Sequence, residues 1–152
     1  VFRTFFRFYY DDITPELFNN LDSMIREGKI ISVKEVYHEL ENQHKKDSDF
    51  MNNIKVYKNI FQEPTNEEEI EILKQIYSKR NYQNNISEKN LLNGNPVADA
   101  FLVAKAKCEN GILVTAEEFS PNAARIPNIC EEFNIKYISF KEFLKIVKKY
   151  KL

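Results

Sequence analysis

Gly111-Ile-Leu-Val-Thr115-Ala-Glu117 is the stretch that decides the fold class. Ile112, Leu113 and Val114 are apolar in succession, without the alternation of a strand that has one wet face. A strand of this kind is buried on both sides, as in parallel sheets covered by helices. Ile135-Lys-Tyr-Ile-Ser139 reads as a second short strand, and Ile30-Ile31 as another apolar run before Ser32. Segments of helical spacing separate them. Short apolar strands alternating with helices predict parallel pairing through right-handed crossovers, hence an α/β domain.

The helix signals are specific to particular residues. Thr14-Pro15 predicts a capped start with proline at the first helical position, and Leu17, Phe18, Leu21, Met24 and Ile25 continue it to a stop at Gly28. Ser32-Val-Lys-Glu35, Thr65-Asn-Glu-Glu68 and Ser139-Phe-Lys-Glu142 each read as a capping box, in which Ser or Thr and a Glu three residues on satisfy helix-end amides reciprocally. Phe50 to Phe61 predicts a further helix ended by Pro64. Arg80 to Gly94, rich in Asn, predicts a loop. Asn95-Pro96 predicts the start of a helix running through Phe101 and Ala104 to about Cys108.

The 152 residues fit one domain, 1–152, with enough chain to build a core. The composition, 43% hydrophobic and 30% charged with 3 Gly, excludes disorder and low-complexity sequence. No uncharged apolar run reaches the ~20 residues of a membrane helix, so no membrane partner is expected. Two cysteines, Cys108 and Cys130, are too few for a disulfide scaffold and predict a reduced, cytoplasmic protein. With 22 basic and 23 acidic residues the net charge is −1, which excludes a large duplex-DNA footprint. Ser139 to Leu152 nonetheless carries five lysines against Glu142, either a solvated helix face or a patch for nucleic acid or an acidic partner.

In open α/β sheets, sites lie beyond the carboxyl ends of the strands. Three acids are expected there: Glu39 beyond the Ile30-Ile31 run, Asp99 in the first turn of its helix, and Glu117 just after Thr115. Singly, each has an ordinary structural explanation, and Glu118 competes with Glu117. Glu35 is read as a capping-box partner. Clustered carboxylates raise one another's pKa and call for cations. Hard oxygen ligands suit Mg²⁺ or Mn²⁺, and such sites support metal-assisted phosphodiester hydrolysis. Glycine-rich phosphate loops, Ser-His-Asp sets and C-x-x-C pairs are absent from the sequence. His38 and His44, six apart, are expected at the surface.

Ser32-x-x-x-Val36-x-x-Glu39-Leu40 resembles the second acidic motif of PIN-domain nucleases. Ala98-Asp99-Ala100-Phe101 with Ala104 and Ala106 resembles their third, and Ile112-Leu-Val-Thr115-x-Glu117 their fourth. The C-terminal stretch Arg125 to Leu144 is similar to a bacterial, toxin-like branch of that family. The resemblance implies a three-layer α/β/α domain with a short parallel sheet. It implies catalytic, metal-binding roles for Glu39, Asp99 and Glu117 around Mg²⁺ or Mn²⁺, with the Thr115 hydroxyl supporting them from behind. It also implies a metal-dependent endoribonuclease of toxin type, acting on single-stranded or structured RNA and restrained by a small antitoxin protein. A second copy of the chain is a further candidate partner. The alternative is a catalytically inactive PIN-like binding or scaffold module.

Two departures qualify the resemblance. The fourth acid is Glu117 where Asp is usual. The family's first acid ends a central first strand, which the resemblance places just before Val1; Asp11 and Asp12 are poor substitutes. The expectation is an upstream strand ending in Asp, without which activity and metal affinity fall. Phe2, Phe5, Phe6, Phe8, Tyr9 and Tyr10 are expected in the core, with stacking on bases as the second possibility.

Overall fold

The computed structural model describes residues 14–83 and 98–150. The aromatic segment Val1–Tyr10, Asp11, Asp12, most of the Asn-rich stretch and the Asn95-Pro96 helix start lie outside the described residues. The described chain is mixed α/β, as expected.

Helix α1 (Pro15–Arg26) begins as the sequence predicts, with Thr14 Oγ1 accepting the Leu17 N–H at 3.4 Å. Gly28 follows at φ +70°, a left-handed conformation that glycine adopts without Cβ strain. Strand β1 (Ser32–Val33) leads directly into α2 (Lys34–Gln43). The capping box expected at Ser32 does not form. Ser32 is taken up in the strand, Val33 becomes the N-cap, and no side chain caps α2.

Helix α3 (Ser48–Val56) is capped by Asp47 and ends earlier than predicted. A single 3₁₀ turn follows, and Phe61–Gln62 then form strand β2, which was expected to be the end of a helix. Helix α4 (Glu67–Ser78) starts one residue later than its expected box. Asn66 is the cap, accepting the Glu69 N–H at 2.8 Å. Arg80–Gln83, expected as loop, forms a short helix α5. Helix α6 (Ala98–Cys108) precedes strand β3 (Leu113–Thr115), helix α7 (Ile126–Glu132) and strand β4 (Tyr137–Ser139). Helix α8 (Phe140–Lys149) carries the capping box predicted at Ser139 and Glu142, with both hydrogen bonds made. His44, expected at the surface, is buried and lies 4.2 Å centroid to centroid from Phe50.

The pairings are parallel. Ser32 lies opposite Phe61 and Val33 opposite Gln62; Leu113, Val114 and Thr115 lie opposite Tyr137, Ile138 and Ser139. Among the described residues these form two separate two-stranded sheets rather than the one short sheet expected. The core is likewise in two clusters. One joins α1, α2, α3 and α8 through residues such as Leu21, Leu40, Ile54 and Val147; the other joins α4, α6 and α7 through Ile76, Val103, Ile129 and Cys130.

Helix α6 holds the halves in relation, because it packs on α4 and α7 and also touches α2, β1 and β3. Its Lys105 is buried, and the ammonium lies 2.8 Å from Glu69 Oε2 on α4. Lys105 also donates to the Glu63 carbonyl at 3.2 Å. Breaking a buried pair leaves an uncompensated charge. Lys105→Met should therefore cost about 3–5 kcal/mol in urea unfolding, and adding Glu69→Leu should recover much of it.

Candidate functional site

A cavity of about 720 Å³ lies between the two sheets. Ile30, Ile31 and Ser32 line it on the β1 side, and Ile112 to Thr115 on the β3 side. Glu39, Asp99 and Glu117, the three acids singled out by sequence, all line this one cavity, whereas Glu118 does not. Each is delivered by a different element. Glu39 projects from α2 beside the buried Leu40, Asp99 from the first turn of α6, and Glu117 from the turn beyond β3.

The local chemistry fixes two of them. The buried Thr115 hydroxyl accepts the Glu117 N–H at 3.0 Å, which shapes the turn leaving the strand. Glu117 Oε2 accepts the Ile126 N–H at 2.9 Å, at the start of α7, where no side chain of the N-cap residue Arg125 serves. Glu39 accepts the Ala98 N–H at the start of α6. Both glutamates thus sit at helix N-termini, where backbone dipoles favour negative charge.

The electrostatics run against that favour. Burial first, then repulsion from Asp99 and Glu35, push Glu39 up to about 7 despite the Ala98 amide. Burial, then Glu117, push Asp99 up to about 6. Glu35 joins the cluster. Its carboxyl is raised chiefly by burial, and its Oε2 is buried without a hydrogen-bond partner among the described residues. Tyr77 on α4 is pushed up to about 12 by burial and by Glu35 and Asp99, so its hydroxyl keeps its proton beside the acids. Glu35 and Tyr77 are the members that sequence reading missed. Glu35 was assigned to a box that does not form, and Tyr77 carries no local signal beyond its place on an apolar stripe.

Among the described residues no three His, Cys, Asp or Glu side chains are grouped closely enough to hold a metal ion. Glu39 and Asp99 act on one another electrostatically, so two carboxylates of the cavity stand close together, and no third such side chain is grouped with them among the described residues.

The chain belongs to the family described as a domain of unknown function, DUF4411, whose model matches residues 1–149. No curated protein and no solved structure matches it. No described helix is long and apolar enough to cross a membrane.

The raised pKa values carry a sign. The folded protein holds protons on Glu39 and Asp99 that the unfolded chain releases, so their contribution is full below the ordinary carboxylate range. It is lost as pH rises through about 6 and about 7. Thermal melts should show a stability that falls from the ordinary carboxylate range, about pH 4, to about pH 7 and then levels, and Glu39→Gln or Asp99→Asn should flatten that fall. Glu117→Ala should lower stability by about 1 kcal/mol, the usual cost of a lost helix cap, and should move part of the fall to lower pH, because Asp99 loses a repelling neighbour.

Proposed function

We propose that the domain is a PIN-like, Mg²⁺- or Mn²⁺-dependent endoribonuclease of toxin type, restrained by a small partner protein. The observation that supports this reading is the convergence of Glu39, Asp99 and Glu117 on one cavity at the carboxyl ends of β1 and β3. Burial and mutual repulsion oppose ionisation of the first two, and a divalent cation offsets both effects.

Glu39 and Asp99 would hold the ion. When bound, the metal supplies Lewis-acid polarisation of a phosphodiester and lowers the pKa of a water ligand. The chain's own residues do the positioning. Thr115 and the Ile126 amide hold Glu117 at the cavity rim, and its charge bears on Asp99. Apolar walls around the acids strengthen each interaction by excluding solvent.

RNA as substrate is supported by the charge on α8. Phe143 and Ile146 of that helix line the cavity, while Lys141, Lys145, Lys148 and Lys149 stand exposed. With a net charge of −1, attraction to phosphates is local and favours single strands or loops over duplex DNA.

The second reading, a non-catalytic PIN-like binding module, draws support from a specific observation. Glu39 and Glu117 already serve helix-end amides, and no three-ligand group exists among the described residues.

Metal titration followed by melting separates the two. Binding to the folded state raises stability by about 2.7 kcal/mol at a hundredfold excess over Kd. Wild type in millimolar Mg²⁺ or Mn²⁺ should show a raised midpoint and cleavage of single-stranded RNA but not of duplex DNA. Glu39→Gln with Asp99→Asn should abolish both. A metal shift without cleavage selects the binding module, and no shift at all removes the metal site.

A further inference from the structure

Of the phenylalanine and tyrosine rings among the described residues, Phe119 alone belongs to neither apolar cluster of the core. It is 53% exposed. Among the described residues no second ring and no cation stacks on it. A single exposed apolar side chain is ordinary on a protein surface. What sets this one apart is the backbone beneath it.

Phe119 stands in the connection from β3 to α7, two residues past Glu117. Hydrogen bonds fix the chain on both sides of it. Before the ring, Glu117 Oε2 accepts the Ile126 N–H at 2.9 Å, and Arg125 Nη1 donates to the Glu118 carbonyl at 3.3 Å. After the ring, the Ala123 N–H donates to the Ser120 carbonyl at 3.1 Å, closing a turn over Ser120-Pro121-Asn122-Ala123. Pro121 and Asn122, the latter at φ +59°, take the two central positions as in a type II turn. Asn128 Nδ2 of α7 donates to the same Ser120 carbonyl at 2.7 Å. A loop free to move would fold an apolar ring against the protein. This one is tied to the start of α7 with its ring in water.

The surroundings of the ring carry the charges that a nucleotide requires. Glu117 lines the cavity with Glu39 and Asp99, and two residues of chain reach about 7 Å at most. The exposed Arg125 holds the peptide that joins Glu118 to Phe119, so a guanidinium stands beside the ring. The register of Thr115 opposite Ser139 brings Lys141, exposed in the first turn of α8, to the same end of the sheet. An aromatic face for a base, cations for its phosphates and acids next to both lie within one short loop and its neighbours.

We propose that Phe119 is a stacking platform for an unpaired base of the RNA, holding the nucleotide next to the phosphate that the acids address. This deepens the nuclease reading and rests on it for the identity of the substrate. Every nucleobase has a π face, so the platform selects unpaired strands over duplexes without selecting one base over another.

The test follows fluorescence anisotropy of a short labelled oligouridylate with the full chain, in EDTA so that metal-dependent cleavage is off. A second ligand has the same sugar–phosphate backbone and no bases. Wild type should bind the oligouridylate about tenfold more tightly than the abasic strand. Phe119→Ala should bind both strands at the abasic level, with an unchanged melting midpoint, because the ring packs in neither cluster. Phe119→Tyr should keep the preference, and Phe119→Leu, apolar but without a π face, should lose it. Equal affinity of wild type for the two strands, or a preference that persists in Phe119→Ala, overturns the proposal and leaves the nuclease reading standing. So does a preference kept by Phe119→Leu, which makes the ring mere apolar bulk. Loss of affinity for the abasic strand in Phe119→Ala also overturns it, because the residue then only shapes the loop. Failure of wild type to bind either strand overturns both claims. The expected preference without cleavage in millimolar Mg²⁺ supports the platform and removes the catalysis.

Discussion

The buried ammonium of Lys105 against Glu69 is the interaction on which the arrangement depends. Helix α6 touches a strand of each two-stranded sheet, β1 and β3, and it carries Asp99 into the cavity at one end. Its registration against α4 is set by a charge pair withdrawn from solvent, supported by the Glu63 carbonyl and by Thr65, whose N–H donates to Glu69 Oε2 at 3.1 Å. Apolar contacts among Ile76, Val103 and Ala104 pack the same interface but tolerate sliding. A buried pair does not, because a displaced partner leaves a charge without its counter-ion.

That fixed helix brings a conflict to the cavity. Amides at the starts of α6 and α7 favour the carboxylates of Glu39 and Glu117, while burial and close neighbours oppose ionisation of Glu39 and Asp99. Opposition prevails at Glu39, which is pushed to about 7 even with the Ala98 amide in place. Carboxylates raised in this way by burial and by one another cluster at functional sites, which is why the proposed function is built on them. They also explain why the structural and functional readings of the acids are not exclusive. A side chain that terminates a helix is thereby held in place for another task.

Much of this was legible in the sequence. Thr14-Pro15 and the Ser139 box carry their mechanism in adjacent residues, and each forms as written. The unalternating Leu113-Val114 run gave the parallel class, and the three acids were placed beside strand ends from spacing alone. The misreadings have local causes. Thr65 and Asn66 are both cap formers; Asn66 accepts the Glu69 N–H, while the Thr65 N–H and hydroxyl go to the Glu69 carboxylate. Ser32 could cap α2 or extend β1, and pairing with Phe61 settled it. β2 has two residues, too few for a period to register. His44 is polar by type yet covers Phe50, and Lys105 reads as a surface charge on a helix that is otherwise small and apolar. Each of these is a tertiary decision that no window of sequence contains.

The central proposal is that Glu39 and Asp99, which act on one another electrostatically, together bind a divalent cation. Carboxyl ¹³C NMR titration of the two side chains, with and without Mg²⁺, tests it most directly. Without divalent cation the pair should titrate with apparent values of about 7 and about 6. In saturating Mg²⁺ both should fall into or below the ordinary carboxylate range, with protons released on binding. Two ordinary carboxylate titrations in the absence of metal, or raised values that Mg²⁺ leaves unmoved, would contradict the account.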